Sequence, residues 1–92
     1  MERLTKGTSE KECWVEAQQV APCDQGITGP AIARLYLFEE IYEKTLEEQE
    51  QISAQLEQLR LAGKERSARF RELMGKKLTN SAMLSVFRVY GL

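Results

Sequence analysis

The chain has 92 residues, a formal net charge of −1, two cysteines and no histidine. At this length it makes one domain at most; no run approaches the roughly 20 apolar residues that span a bilayer, and the opening MERLTKGTSEKE lacks the apolar stretch of a secretory signal. A cytoplasmic protein with no membrane role is therefore expected, and without histidine the commonest general base is missing, so neither an enzyme nor a cofactor is expected.

Residues 1–29 form the first segment, an N-terminal arm. Ser9 and Glu12 stand at the spacing of a capping box, and Cys13, Trp14, Ala17, Val20 and Ala21 could line a short helix. CWVEA reads equally as a strand, with Pro22-Cys23-Asp24-Gln25-Gly26 as a turn. The helical or irregular reading is preferred, with Trp14 docking the arm. Cys13 and Cys23 lie ten residues apart, not in a CxxC spacing. With no histidine beside them they are expected to be free thiols, and no metal is expected.

Residues 30–92 form the second segment, a helical hairpin domain. Thr28 or Gly29 can cap a helix whose first turn takes Pro30, where a missing N–H costs nothing. Good helix formers follow without internal Gly or Pro until Gly63, a natural left-handed stop. Leu35, Phe38, Tyr42, Thr45, Gln49, Ile52, Leu56 and Leu59 alternate in steps of three and four, a heptad seam with two polar members in its middle. A second apolar edge holds Ile32, Leu37, Ile41 and Leu46. A helix apolar on two edges needs more than one neighbour, so one edge is expected to fold the hairpin and the other to join subunits.

After Gly63, Ser67 can cap a helix carrying Phe70, Leu73, Met74 and Leu78. Gly75 weakens it by roughly 1 kcal/mol relative to Ala, which suggests a close backbone approach. Thr79-Asn80-Ser81 predicts an interruption, because each side chain competes for backbone hydrogen bonds. A last short helix with Met83, Leu84, Val86 and Phe87 then stops at Tyr90-Gly91-Leu92. The expected fold is all-α: a long helix plus antiparallel C-terminal helices, bundled between copies, with a short irregular or helical N-terminal arm.

Charge is segregated along this plan. Residues 1–29 carry three cations and five acids, residues 30–62 three and seven, and residues 63–92 seven and two, for nets of −2, −4 and +5. The simplest use of the basic tail is pairing with glutamates 39, 40, 43, 47, 48, 50 and 57 across the hairpin, at about 0–1 kcal/mol per exposed pair. A sharper use is a phosphate site. Arg66 and Arg69 stand beside Phe70, and Phe70, Lys77 and Asn80 fall near one helical face. An arginine fork grips phosphate, an aromatic ring stacks on a base, and an asparagine reads a base edge. Duplex DNA fits less well, since the chain is net acidic.

The start MERLTK, the segment AIARLYLFEEI and the ending GKERSARFRELMGKKLTNSAMLSVFRVYGL together resemble small accessory proteins encoded by phages and prophages of Gram-positive gut bacteria. The ending is similar to a pattern of the form GK-x-x-[ST]-x-x-[FY]-[RK]-E-L-x-x-x-K-L-x-N with an L-x-x-F-x-x-[YH]-G-L close. The resemblance implies a non-catalytic, homo-oligomeric protein of the host bacterial cytoplasm that counters host defence. It further implies sequestration of a cyclic nucleotide signal of the Thoeris or CBASS type, with Arg66, Arg69, Phe70, Lys77 and Asn80 as ligand contacts. Two alternatives stand beside it: a protein-directed inhibitor or adaptor of host machinery, such as a defence protein, and a nucleic-acid-binding accessory factor.

Overall fold

The computed structural model describes residues 1–92. It corrects the all-α expectation, because residues 5–28 form two antiparallel β-hairpins ahead of two long helices. The elements in chain order are β1 (Thr5–Ser9), β2 (Glu12–Val15), a 3₁₀ turn (Ala17–Gln19), β3 (Ala21–Cys23), β4 (Gly26–Thr28), α1 (Pro30–Leu61) and α2 (Ala68–Val89). The chain packs as two units, Met1–Glu40 and Ile41–Leu92. No helix is long and apolar enough to cross a membrane.

In the first unit, β1 pairs with β2 in the register Thr5↔Val15, Lys6↔Trp14, Gly7↔Cys13 and Ser9↔Glu12, with an irregularity between Gly7 and Ser9. The Ser9–Glu12 signal is used, but by a turn. Ser9 Oγ accepts the Glu12 backbone N–H at 3.2 Å, closing the hairpin instead of starting a helix. Lys6 and Glu16 form an ion pair. β3 pairs with β4 as Ala21↔Thr28, Pro22↔Ile27 and Cys23↔Gly26, so the expected Pro22–Gly26 turn sits inside a second hairpin. Pro22 lacks a ladder donor and is tolerated because each strand of a two-stranded sheet is an edge. Trp14 is 54 % exposed and does not dock the arm as an apolar plug. Cys13 and Cys23 are free and exposed.

Gly29 joins the second hairpin to α1 with φ +133°, a conformation that L side chains rarely adopt. A Cβ there would collide with the Gln19 carbonyl and lie 2.8 Å from Val20 Cα. Arg34, one turn into α1, donates from Nη1 to the Glu2 carbonyl at 2.7 Å.

In the second unit, α1 and α2 lie antiparallel. Their core is Ile52, Leu56 and Leu73, with Leu59, Phe70 and Met74 packed against it. Leu84 is also buried. Toward the other end, Tyr42 stacks on Phe87, with ring centroids 5.6 Å apart, and its hydroxyl donates to the Leu92 carbonyl at 3.2 Å. The heptad seam of α1 is thus spent inside the hairpin from Tyr42 to Leu59. Its polar members lie in it: Thr45 is buried and returns its hydroxyl to the Ile41 carbonyl at 2.8 Å. The second edge stays uncovered, with Ile32, Leu37, Ile41 and Leu46 between 37 and 59 % exposed.

Both helices stop as their glycines dictate. At Gly63 (φ +70°) the N–H groups of Gly63 and Lys64 reach back to the carbonyls of Arg60 and Leu59. At Gly91 (φ +82°) those of Gly91 and Leu92 reach Arg88 and Phe87. Both are Schellman caps. Ser67 caps α2 by accepting the Phe70 N–H at 3.1 Å. The interruption expected at Thr79-Asn80-Ser81 is absent: α2 runs unbroken from Ala68 to Val89. The three side chains find partners that leave the ladder intact. Thr79 returns its hydroxyl to the Gly75 carbonyl at 3.1 Å, Asn80 donates to Glu48, and Ser81 accepts from Gln49. Nor is there a close approach at Gly75 within the chain, where an added Cβ would have no atom within 4 Å.

Candidate functional site

The five residues expected to hold a ligand occupy three different situations. Phe70 belongs to the core cluster, and the Arg60 guanidinium carbon sits 5.5 Å from its ring centroid. Asn80 is 8 % exposed, and its Nδ2 donates to Glu48 Oε1 at 2.7 Å. Lys77 is half-buried on the same side of α2, and its backbone carbonyl accepts from Gln49 Nε2 at 3.1 Å. The stripe that the spacing places together therefore faces α1. Arg66 is exposed in the turn before α2, and its carbonyl accepts from Arg71 Nη2 at 3.2 Å. Arg69 is exposed, with Nη1 on Glu72 Oε1 at 3.3 Å and Nη2 on Gln55 Oε1 at 3.5 Å. From Arg69 to Asn80 the helix climbs about 16 Å.

Two shallow hollows flank Arg69. One, of about 230 Å³, is lined by Gln55, Gln58, Leu59, Lys64 and Arg69 among others and contains no carboxylate. The other, of about 170 Å³, sets Arg69 and Lys76 against Glu48 and Glu72. Both are smaller than the roughly 300–1,000 Å³ usual for small-molecule sites. In the N-terminal unit a hollow of about 400 Å³ is lined mainly by Met1, Leu4, Ala31, Leu35 and Phe38, with Arg3 and Arg34 at hand.

The hairpin also contains a polar rung that the spacing of cations did not reveal. Glu48 accepts from Asn80 and pairs with Lys76 at 3.2 Å, while Gln49 Nε2 donates to the Lys77 carbonyl and, at 2.9 Å, to Ser81 Oγ. The Asn80 amide and then the Lys76 ammonium hold the Glu48 carboxyl below the usual carboxylate range, against a smaller desolvation effect. Gln49 Oε1 is buried and has no protein partner. Of the expected ladder of charge pairs, Glu48–Lys76 crosses between helices, whereas Arg60–Glu57 and Arg69–Glu72 close within one helix.

A second feature is the outward face of α2. Gly75, Leu78, Ala82, Ser85 and Val89 succeed one another in steps of three and four, with Val86 alongside, and all are exposed. The signal for it lay in the sequence as a second heptad stripe, hidden because only two of its five members are large and apolar. No family model, curated protein or solved structure matches the chain.

Proposed function

We propose that the chain is a non-catalytic phage accessory protein, working inside the bacterial host, that counters host defence by binding protein surfaces. The supporting observation is the balance of apolar side chains in the hairpin unit. Ile52, Leu56, Leu73 and Leu84 are buried, whereas Ile41, Leu46, Leu61, Leu78, Val86, Val89, Tyr90 and Leu92 are between 37 and 81 % exposed. Each of these would contribute about 1.5–3 kcal/mol if fully buried; Leu78, Val86 and Val89 share one side of α2, and an exposed apolar patch marks a site of protein association. The side chains that would have stacked on a base and read its edge, Phe70 and Asn80, are engaged within the hairpin. That favours a protein target over a nucleotide.

Sequestration of a cyclic nucleotide is the second reading. It is favoured by the carboxylate-free hollow at Lys64 and Arg69. One experiment separates the two. Phage infection is scored on a host with cyclic-nucleotide-signalled immunity that expresses the chain or its Leu78→Asp variant, and the purified chain is melted against a panel of cyclic nucleotides. The first reading expects protection by the parent chain, loss with Leu78→Asp, and flat melting curves. A melting shift with a ligand that is recovered intact would overturn it in favour of sequestration, and equal protection by both chains would also overturn it.

A further inference from the structure

We propose that the outward face of α2 is the contact surface for a second copy of this chain, docked with the two α2 helices antiparallel. The inference rests on the reading that the hairpin unit acts through its uncovered apolar surface, and it names one occupant of that surface.

The stripe Gly75, Leu78, Ala82, Ser85 and Val89 has the spacing of a coiled-coil seam. It lies on the side of α2 away from the buried Leu73, Asn80 and Leu84. Nothing in the hairpin uses the space that Gly75 leaves, although an interior glycine weakens a helix by about 1 kcal/mol relative to alanine. A second helix lying against the stripe would use it.

The stripe is complementary to itself in size when a two-fold axis passes near residue 80. Leu78 then lies opposite Ala82 of the second copy, and Gly75 lies opposite its Ser85 and Val86. Leu78 meets a small side chain on both sides of the axis, and Val89 meets the aliphatic stem of the other copy's Arg71. In a parallel pair, Gly75 would face Gly75 and leave an empty rung.

Charge selects the same orientation. Residues 60–71 hold five cations and one glutamate, a net of +4, and residues 41–47 hold two glutamates and one lysine, a net of −1. Antiparallel docking about residue 80 brings each cationic turn toward the end of the other hairpin that carries Glu43 and Glu47, while Glu48, bonded to Asn80, lies level with the axis. It also sets each α2 N-terminus beside a C-terminus, as the helix dipoles prefer. Parallel docking would set +4 against +4. The charge contribution is screened over about 8 Å at physiological salt, so the pair loosens with salt while the apolar stripe persists.

The test uses the full chain with Cys13→Ser and Cys23→Ser, both exposed sites, and adds Leu78→Cys in one preparation and Ala82→Cys in another. Light scattering of the parent chain is expected to give the mass of a dimer. On mild oxidation the mixture of the two cysteine variants is expected to cross-link at least tenfold faster than either variant alone. Ala82→Glu, an exposed position in the single chain, is expected to keep the helical circular dichroism and weaken dimerisation by at least about 100-fold, since it buries a charge without a partner. A monomeric parent, fastest cross-linking by Leu78→Cys alone, or a dimer indifferent to Ala82→Glu would each overturn the pairing. If the parent is monomeric and Leu78→Asp still abolishes protection in the infection assay, the pairing falls and the binding function stands. If Leu78→Asp protects fully, the binding function falls as well.

Discussion

Replacing Leu56 by alanine tests whether the hairpin unit stands on its small core. Leu56 is 1 % exposed and is the largest fully buried side chain, packed in the cluster with Ile52 and Leu73 and flanked by Leu59, Phe70 and Met74. Truncation removes the transfer energy of the lost carbons and leaves a cavity that two long helices cannot close, a loss of about 2–5 kcal/mol. A unit of about fifty residues has about 3–8 kcal/mol in total. The substitution is therefore expected to consume most of the unit's stability. Urea titration followed by helical circular dichroism should show the midpoint fall sharply, with partial unfolding before denaturant is added. Leu61→Ala, at 81 % exposure, should stay within about 0.5 kcal/mol of the parent. A loss below about 1 kcal/mol at Leu56, or equal losses at both sites, would refute the placement of the core.

The carboxyl of Glu48 has its pKa lowered in the fold, so its stabilisation is present above the ordinary carboxylate pKa and is lost as pH falls through the lower, folded value. Glu48→Gln should flatten the acid side of the stability–pH profile, read from melting temperatures between about pH 2 and about pH 7. Gln49→Leu removes a buried oxygen without a partner but also the bonds that Nε2 gives to the Lys77 carbonyl and Ser81 Oγ; the two effects oppose, and urea titration should show a net change within about 1 kcal/mol. Gly29→Ala, at φ +133° with its Cβ against the Gln19 carbonyl, should cost more than Gly63→Ala, where φ is +70° but the space is open. The expected costs are about 3 kcal/mol or more and about 1 kcal/mol, seen as faster amide exchange in β3 and β4 for the former alone.

How far the sequence foretold these features depended on whether a residue's neighbours were local. The start of α1 at Pro30 and its stop at Gly63 were legible because proline and glycine impose φ angles without regard to packing. The two hairpins were not, because residues of β1, β3 and β4 are exposed throughout and β2 is nearly so. A sheet with no buried face carries no alternation of apolar and polar residues, which is the usual sign of a strand. The Ser9–Glu12 spacing reads as the capping box of a helix start, but the structure uses the Ser9 Oγ bond to the Glu12 N–H in a hairpin turn, because turns and helix starts share that bond. At Phe70, Lys77 and Asn80 the spacing gave the common face but not its direction. Charged and amide residues suggested the solvent side, whereas Asn80 faces inward because Glu48 offers it an acceptor.

The rung of Glu48, Gln49, Lys76 and Asn80 limits axial sliding of the hairpin. A shift of α2 by one turn, about 5.4 Å, would carry Asn80 off Glu48 and Ser81 off Gln49, breaking the hydrogen bonds that cross between the helices. Leucine against leucine tolerates many axial offsets; this set of hydrogen bonds tolerates one. The rung therefore works as an indexing pin, fixing the axial position at which the two rods come to rest and with it the alignment of everything displayed on their outer sides.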